Sequence, residues 1–88
     1  MNDRYKVASH IAWRRVEDEV VVLDLNTSVY YALNDAGARI WELLSEGKSL
    51  DEVVDVLVEE YETDGKTADK DARSFLKDLS REKRLVPA

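Results

Sequence analysis

With 88 residues, 13 Lys or Arg, 19 Asp or Glu and a net charge of −6, the chain has the length of one small domain. At 44% hydrophobic and 36% charged, with 3 Gly and 1 Pro, it is too apolar and too poor in Gly and Pro for a disordered tail. Zero cysteines exclude a disulfide framework, a thiolate zinc site and a cysteine nucleophile together, and no apolar stretch approaches the ~20 residues of a membrane span. The N-terminus, Met1-Asn2-Asp3-Arg4, lacks a signal peptide's charged-then-apolar pattern, so a single cytoplasmic domain spanning 1–88 is expected.

The first third alternates with period two. Tyr5, Val7, Ile11 and Trp13 fall on one side, Lys6, His10 and Arg14 on the other, and Val16-Glu17-Asp18-Glu19 forms a charged turn. Val20 to Leu25 resumes an apolar, β-branched run, and Asn26-Thr27 reads as a short hairpin loop. Ser28 to Leu33 is then a third strand with Val29, Tyr31 and Leu33 on one face, which completes an antiparallel meander.

At Asn34 the period changes to that of a helix. Asn34 is a candidate N-cap, Ala36, Ile40, Leu43 and Leu44 form an apolar stripe with Gly37 and Trp41 beside it, and Gly47 stands where a C-cap glycine is expected. Ser49-Leu50-Asp51-Glu52 matches a capping box, and Leu50, Val53, Val54, Leu57, Val58 and Tyr61 follow on one helix face. Glu62-Thr63-Asp64-Gly65 is a loop. A third helix from about Thr67 to about Arg84 buries Ala68, Ala72, Phe75, Leu76 and Leu79 and gathers Lys66, Lys70, Arg73, Lys77, Arg81 and Arg84 in one stripe. The order is βββααα, an α+β fold.

Charge is unevenly spread. Residues 16–65 carry 14 acids against Arg39 and Lys48, whereas both ends are mildly basic. The second helix holds no Lys or Arg, which disfavours nucleic acid, although the basic stripe keeps a winged-helix DNA-binding regulator as an alternative. A solvated face, docking on an acidic partner and docking on the protein's own acidic middle all account for that stripe.

No catalytic, metal or cofactor constellation is expected. The one histidine, His10, has no nucleophile placed beside it, Ser49 already caps a helix, and neither a Walker-type nor a dinucleotide glycine motif occurs. Trp13 and Trp41 read as core. The feature that invites a partner is the third strand, which contains no Pro, Gly or charge along an open sheet edge. Either a helix or dimer partner covers it, or an extended peptide adds to it as a fourth strand.

Three segments together carry a resemblance: Val21-Val22-Leu23-Asp24-Leu25; Tyr30-Tyr31-Ala32-Leu33-Asn34 running into Ala36-Gly37-Ala38-Arg39-Ile40-Trp41-Glu42-Leu43-Leu44; and Phe75-Leu76-Lys77-Asp78-Leu79. Over residues 16–85 the chain resembles the family of the pyrroloquinoline quinone synthesis protein D (PqqD-like), the recognition element of ribosomally made, modified peptides. The family often has Gly where Ser28 and Arg84 stand here.

The resemblance implies a winged helix-turn-helix-like fold, a three-stranded antiparallel sheet followed by three helices. It also implies that a precursor's leader peptide pairs with the third strand, in the groove beside the third helix. Carried onto this chain, the peptide-binding residues are Ser28, Val29, Tyr30, Tyr31 and Ala32 on the strand, with Ala72, Phe75, Leu76 and Leu79 as an apolar floor. Arg73 and Lys77 would meet acidic leader residues. A chain ending at Ala88 looks most like the stand-alone, non-enzymatic proteins of lasso-peptide clusters. The partners implied are the precursor leader peptide, a leader peptidase and a cyclase or other modifying enzyme, with no nucleic acid and no membrane, the protein itself being a monomer or weak dimer. A pyrroloquinoline quinone precursor chaperone is the alternative within the same mechanism.

Overall fold

A computed structural model describes residues 4–88, so the N-terminal Met1-Asn2-Asp3 lies outside the described residues. The elements run β1 (Tyr5–Val7), β2 (Ile11–Val16), β3 (Glu19–Asp24), β4 (Tyr30–Asn34), α1 (Asp35–Ser45), α2 (Leu50–Tyr61), α3 (Gly65–Arg81) and β5 (Leu85–Pro87). The expected sheet is present, antiparallel with order β2-β3-β4, and the three helices follow it.

Two elements differ from the sequence reading. The period-two stretch at the N-terminus is broken at Ala8, Ser9 and His10, and its first part pairs instead with the C-terminal Leu85–Pro87. Tyr5 faces Pro87 and Val7 faces Leu85 in that second, two-stranded sheet. Alternation predicted the strand conformation correctly but not the partner, because a three-residue pairing across the whole chain leaves no local pattern. β4 also starts later than expected, at Tyr30. Asp24 accepts from the amides of Asn26 (2.9 Å) and Thr27 (3.2 Å), and the chain turns at Ser28, which has φ 63°. Ser28 and Val29 therefore belong to the loop.

The core lies between the helix-facing side of the sheet and the three helices. Trp41, Leu44, Leu85, Val20, Val22 and Val53 are its largest fully buried side chains. Trp13 meets Trp41 edge-to-face, with ring centroids 6.0 Å apart and planes at 77°. In α1 the buried face is Ala38, Ile40, Trp41, Leu43 and Leu44, which makes Trp41 its centre rather than a flank and leaves Ala36 half-buried.

Helix ends follow local chemistry with two exceptions. Ser49 and Glu52 form both bonds of the capping box (3.2 and 2.9 Å), and Asp64 caps α3 through the Thr67 amide at 2.7 Å, two residues earlier than the sequence suggested. Asn34 occupies the cap position of α1 without a side-chain cap bond.

Both α1 and α3 end in Schellman turns. The Lys48 amide reaches Leu43 O and the Gly47 amide reaches Leu44 O, while the Arg84 amide reaches Leu79 O and the Lys83 amide reaches Ser80 O. The left-handed residue is Gly47 in the first (φ 89°) but Lys83 in the second (φ 59°). A side chain in that conformation costs ~1–2 kcal/mol, partly offset because Gly loses more freedom on folding. Lys83→Gly should therefore raise stability by about 0.5–1 kcal/mol, read as a higher urea midpoint. An unchanged or lower midpoint would refute strain at Lys83.

Candidate functional site

Among the described residues, β4 has a strand on one side only. The Asp24 amide donates to Val29 O at 2.9 Å, and the pairing then runs Tyr31 opposite Val22 and Leu33 opposite Val20. In an antiparallel ladder bonded pairs alternate, so Tyr31 and Leu33 turn their main chain toward β3. Tyr30 and Ala32 turn theirs outward, and no strand among the described residues meets them. The open edge thus offers the N–H and C=O of those two residues, with no charged side chain on either.

The two faces of β4 differ. Tyr31 and Leu33 are half-buried on the helix side, opposite the fully buried Val22 and Val20. Tyr30 and Ala32 are exposed on the outer side, opposite Leu23 and Val21. The outer face is apolar. Tyr30 is 73% exposed, and the adjoining loop adds Leu25 at 56% and Val29 at 54%. A shallow depression of about 250 Å³ on the neighbouring strands is lined by Ala12, Trp13, Arg14, Val21 and Leu23.

On the helix side, Tyr31 is the chemical centre. The Arg84 guanidinium carbon lies 4.4 Å from its ring centroid, a cation–π contact in a half-buried setting, and Glu82 holds Arg84 at 2.6 Å. Burial pushes the Tyr31 phenol above its ordinary pKa; the nearby Arg84 opposes this, and Glu82 and Asp24 reinforce it. The Tyr31 hydroxyl and the Arg84 Nε are buried without a hydrogen-bond partner among the described residues. The sequence placed Arg84 in the basic stripe of the third helix. The positive φ at Lys83 ends that helix and turns Arg84 over the strand instead.

The sequence-predicted residues of the third helix divide. Ala72, Leu76 and Leu79 are buried within the core cluster and offer little open surface. Phe75 is half-buried on the side of α3 that faces α1; a Cβ on Gly37 would lie 3.8 Å from its ring. Arg73 and Lys77 are both exposed. Arg73 is paired with Asp69 at 2.9 Å, it feels the charge of Asp51 in α2, and Lys77 continues the same exposed stripe. A pocket of about 140 Å³ where the three helices meet, lined by Ala36, Ile40, Leu57, Tyr61, Thr63, Ala68 and Asp71, was not foreseen. Its residues lie on three helices and the loop between α2 and α3, and no local motif links them.

Among the described residues no group of three or more His, Asp or Glu is placed to hold a metal, and no helix is long and apolar enough to cross a membrane.

The family model of coenzyme PQQ synthesis protein D (PqqD) matches residues 19–85. The chain belongs to the PqqD family. Two solved structures are similar over nearly their whole length. TbiB1 in complex with the TbiA(beta) leader peptide is 40% identical, with 91% of this chain and 93% of that chain covered and a TM-score of 0.85. Lasso peptide synthetase B1 complexed with the leader peptide is 26% identical, with 96% and 99% covered and a TM-score of 0.86. No curated protein sequence matches.

Membership accounts for one of the two departures noted from the sequence. The position of Ser28, where the PqqD family often has Gly, is a left-handed turn residue here, so the backbone conformation is kept at some steric expense. At the other, the left-handed residue is Lys83, one position before Arg84.

Proposed function

We propose that this chain captures the leader peptide of a ribosomally made precursor as an added strand on β4 and presents it to a leader peptidase and a cyclase of lasso-peptide biosynthesis. It acts as a non-catalytic cytoplasmic carrier, with residues 1–88 as one recognition domain. The observation that carries this is the open, uncharged main-chain edge at Tyr30 and Ala32, beside α3, in a chain 40% identical to TbiB1.

Main-chain bonds to Tyr30 and Ala32 supply affinity that is indifferent to sequence. Side chains of the leader that alternate toward α3 meet Tyr31 and Phe75, which supply selection. Ser28 and Val29 form the entry to the strand, and Ala72, Leu76 and Leu79 hold α3 at its distance. Holding the leader converts a bimolecular encounter of core peptide and enzyme into a local one. Once β4's edge holds a strand, the apolar outer face with Tyr30, Leu23 and Val21 stays open to such an enzyme.

The pyrroloquinoline quinone pathway shares the mechanism, but one of the two similar solved structures is a lasso peptide synthetase B1, and both hold leader peptides, which favours the lasso reading.

The test is fluorescence anisotropy of labelled TbiA(beta) leader peptide titrated with this chain. Saturable binding at about micromolar or tighter is expected, equivalent to about −8 kcal/mol. A flat titration at far higher protein concentration would sink the proposal.

A further inference from the structure

The helix side of β4 holds two polar atoms left unsatisfied by the described residues. The Tyr31 hydroxyl and the Arg84 Nε are both buried without a hydrogen-bond partner. Buried donors are nearly always paired, because an unmade bond leaves their desolvation uncompensated. The two side chains form one contact, with the Arg84 guanidinium carbon 4.4 Å from the Tyr31 ring centroid. A third such atom, Trp41 Nε1, belongs to a side chain fully buried in the core, whereas Tyr31 is half-buried on the open edge strand.

Register places a ligand residue beside this contact. Tyr30 and Ala32 turn their main chain outward, so they form the bonded pairs with an added antiparallel strand. Tyr31 then faces the intervening residue of that strand in a non-bonded pair, whose Cα atoms approach to about 4.5 Å. Paired side chains share a face, so that residue points to the helix side, against Tyr31.

Arg84 can move its side chain while its backbone stays fixed. Its amide donates to Leu79 O at 2.9 Å, and its carbonyl accepts from the Ala8 amide at 3.0 Å. The side chain, 16% exposed, is held by the Tyr31 ring and by an ion pair to the exposed Glu82. An ion pair with one partner at the surface restrains a long side chain only weakly.

We infer that the leader residue opposite Tyr31 carries a neutral oxygen acceptor, an amide or a hydroxyl, which takes hydrogen bonds from the Tyr31 hydroxyl and the Arg84 Nε as the guanidinium shifts off the ring. This rests on the strand-addition reading and names the side-chain class at one position of its ligand. Charge selects the neutral acceptor. The charged groups acting on the Tyr31 phenol are Arg84, Glu82 and Asp24, one cation against two acids, and Glu82 already pairs with the cation. A carboxylate there meets net repulsion. An apolar side chain leaves both donors unpaired, a mismatch that hydrogen-bonding sites reject strongly.

The experiment uses the full chain and fluorescein-labelled TbiA(beta) leader peptide, in which each position is replaced in turn by Gln, Glu and Met. Gln and Met are close in volume, and Gln and Glu differ in charge at nearly constant shape. At one position Gln should bind about tenfold tighter than Met and about threefold tighter than Glu. Tyr31→Phe and Arg84→Met should each reduce the preference for Gln over Met to about threefold or less. Arg81→Met, which removes an exposed cation from the same end of α3, should leave it intact. Tyr31→Phe deletes only an unpartnered hydroxyl, so it is expected to fold with an unchanged or higher urea midpoint, and circular dichroism checks all three variants.

Absence of any position that prefers Gln over Met, a preference for Glu over Gln at that position, a preference unmoved by Tyr31→Phe, or an equal loss in Arg81→Met would overturn the inference while leaving strand addition standing. Failure of every peptide to bind would instead remove strand addition itself, and the acceptor assignment with it.

Discussion

Ala32→Pro is expected to abolish leader capture while leaving the protein folded. The Ala32 amide points away from β3, so proline there removes no bond of the β3–β4 ladder. Proline is tolerated on an edge strand when its missing N–H faces outward. An incoming strand, however, loses one main-chain bond worth about 0.5–1.5 kcal/mol and meets the ring where its own carbonyl should sit. Together these should weaken binding at least tenfold, about 1.4 kcal/mol, and the ring clash should take the loss well beyond that.

Tyr31→Pro is the informative contrast. The Tyr31 amide faces β3, so that substitution breaks an internal bond and should lower the urea midpoint as well as binding. Anisotropy with the TbiA(beta) leader peptide, paired with urea unfolding of each variant, separates the two. A folded Ala32→Pro protein that binds like the parent would show that the peptide does not add to this edge.

The largest expected stability effect is at Trp41. Its side chain is fully buried at the centre of α1's inner face and stands edge-to-face with Trp13. Trp41→Ala should cost about 3–5 kcal/mol, from lost transfer energy and the cavity left behind. Against a total of ~5–15 kcal/mol for a small domain, this leaves the protein marginal or unfolded at room temperature. Trp41→Phe should be distinctly milder, because it keeps a ring against Trp13 and removes an indole Nε1 that is buried without a hydrogen-bond partner among the described residues. Urea midpoints by circular dichroism measure both; a loss below ~1 kcal/mol for the alanine variant would displace Trp41 from the centre of the core.

Much of the architecture was legible because it is written in short-range pattern. Alternation from Val20 to Leu25 reports one buried face, and Val20 and Val22 are indeed fully buried. The capping box at Ser49 and Glu52 and the glycine at Gly47 act within four residues, so sequence alone located the end of α1 and the start of α2. The same holds for the uncharged edge strand: Tyr30 to Leu33 carry no Pro, Gly or charge, and β4 does lie at the edge of its sheet.

The misreadings have a common cause in contacts that no local period encodes. Ser28 was assigned to a strand because its composition allows it, yet the side chain of Asp24 draws the chain into a loop. Arg84 continued the helical period of the basic stripe until Lys83, held left-handed, turned it over Tyr31. Ala72, Leu76 and Leu79 were correctly apolar, but burial against the core removes them from direct view of a ligand.

What the sequence determined by itself was the three-stranded sheet, the three helices that follow it and the strand at the sheet's edge, because hydrophobic period and capping are properties of neighbouring residues. What only the tertiary structure decided was which flank of α3 turns toward the first turn of α1 and the Tyr31–Arg84 contact. A helical wheel gives two charged flanks of α3 equal standing. The packing of Phe75 on Gly37 and of Arg84 on Tyr31 chooses between them, because it fixes the rotation of the helix about its own axis.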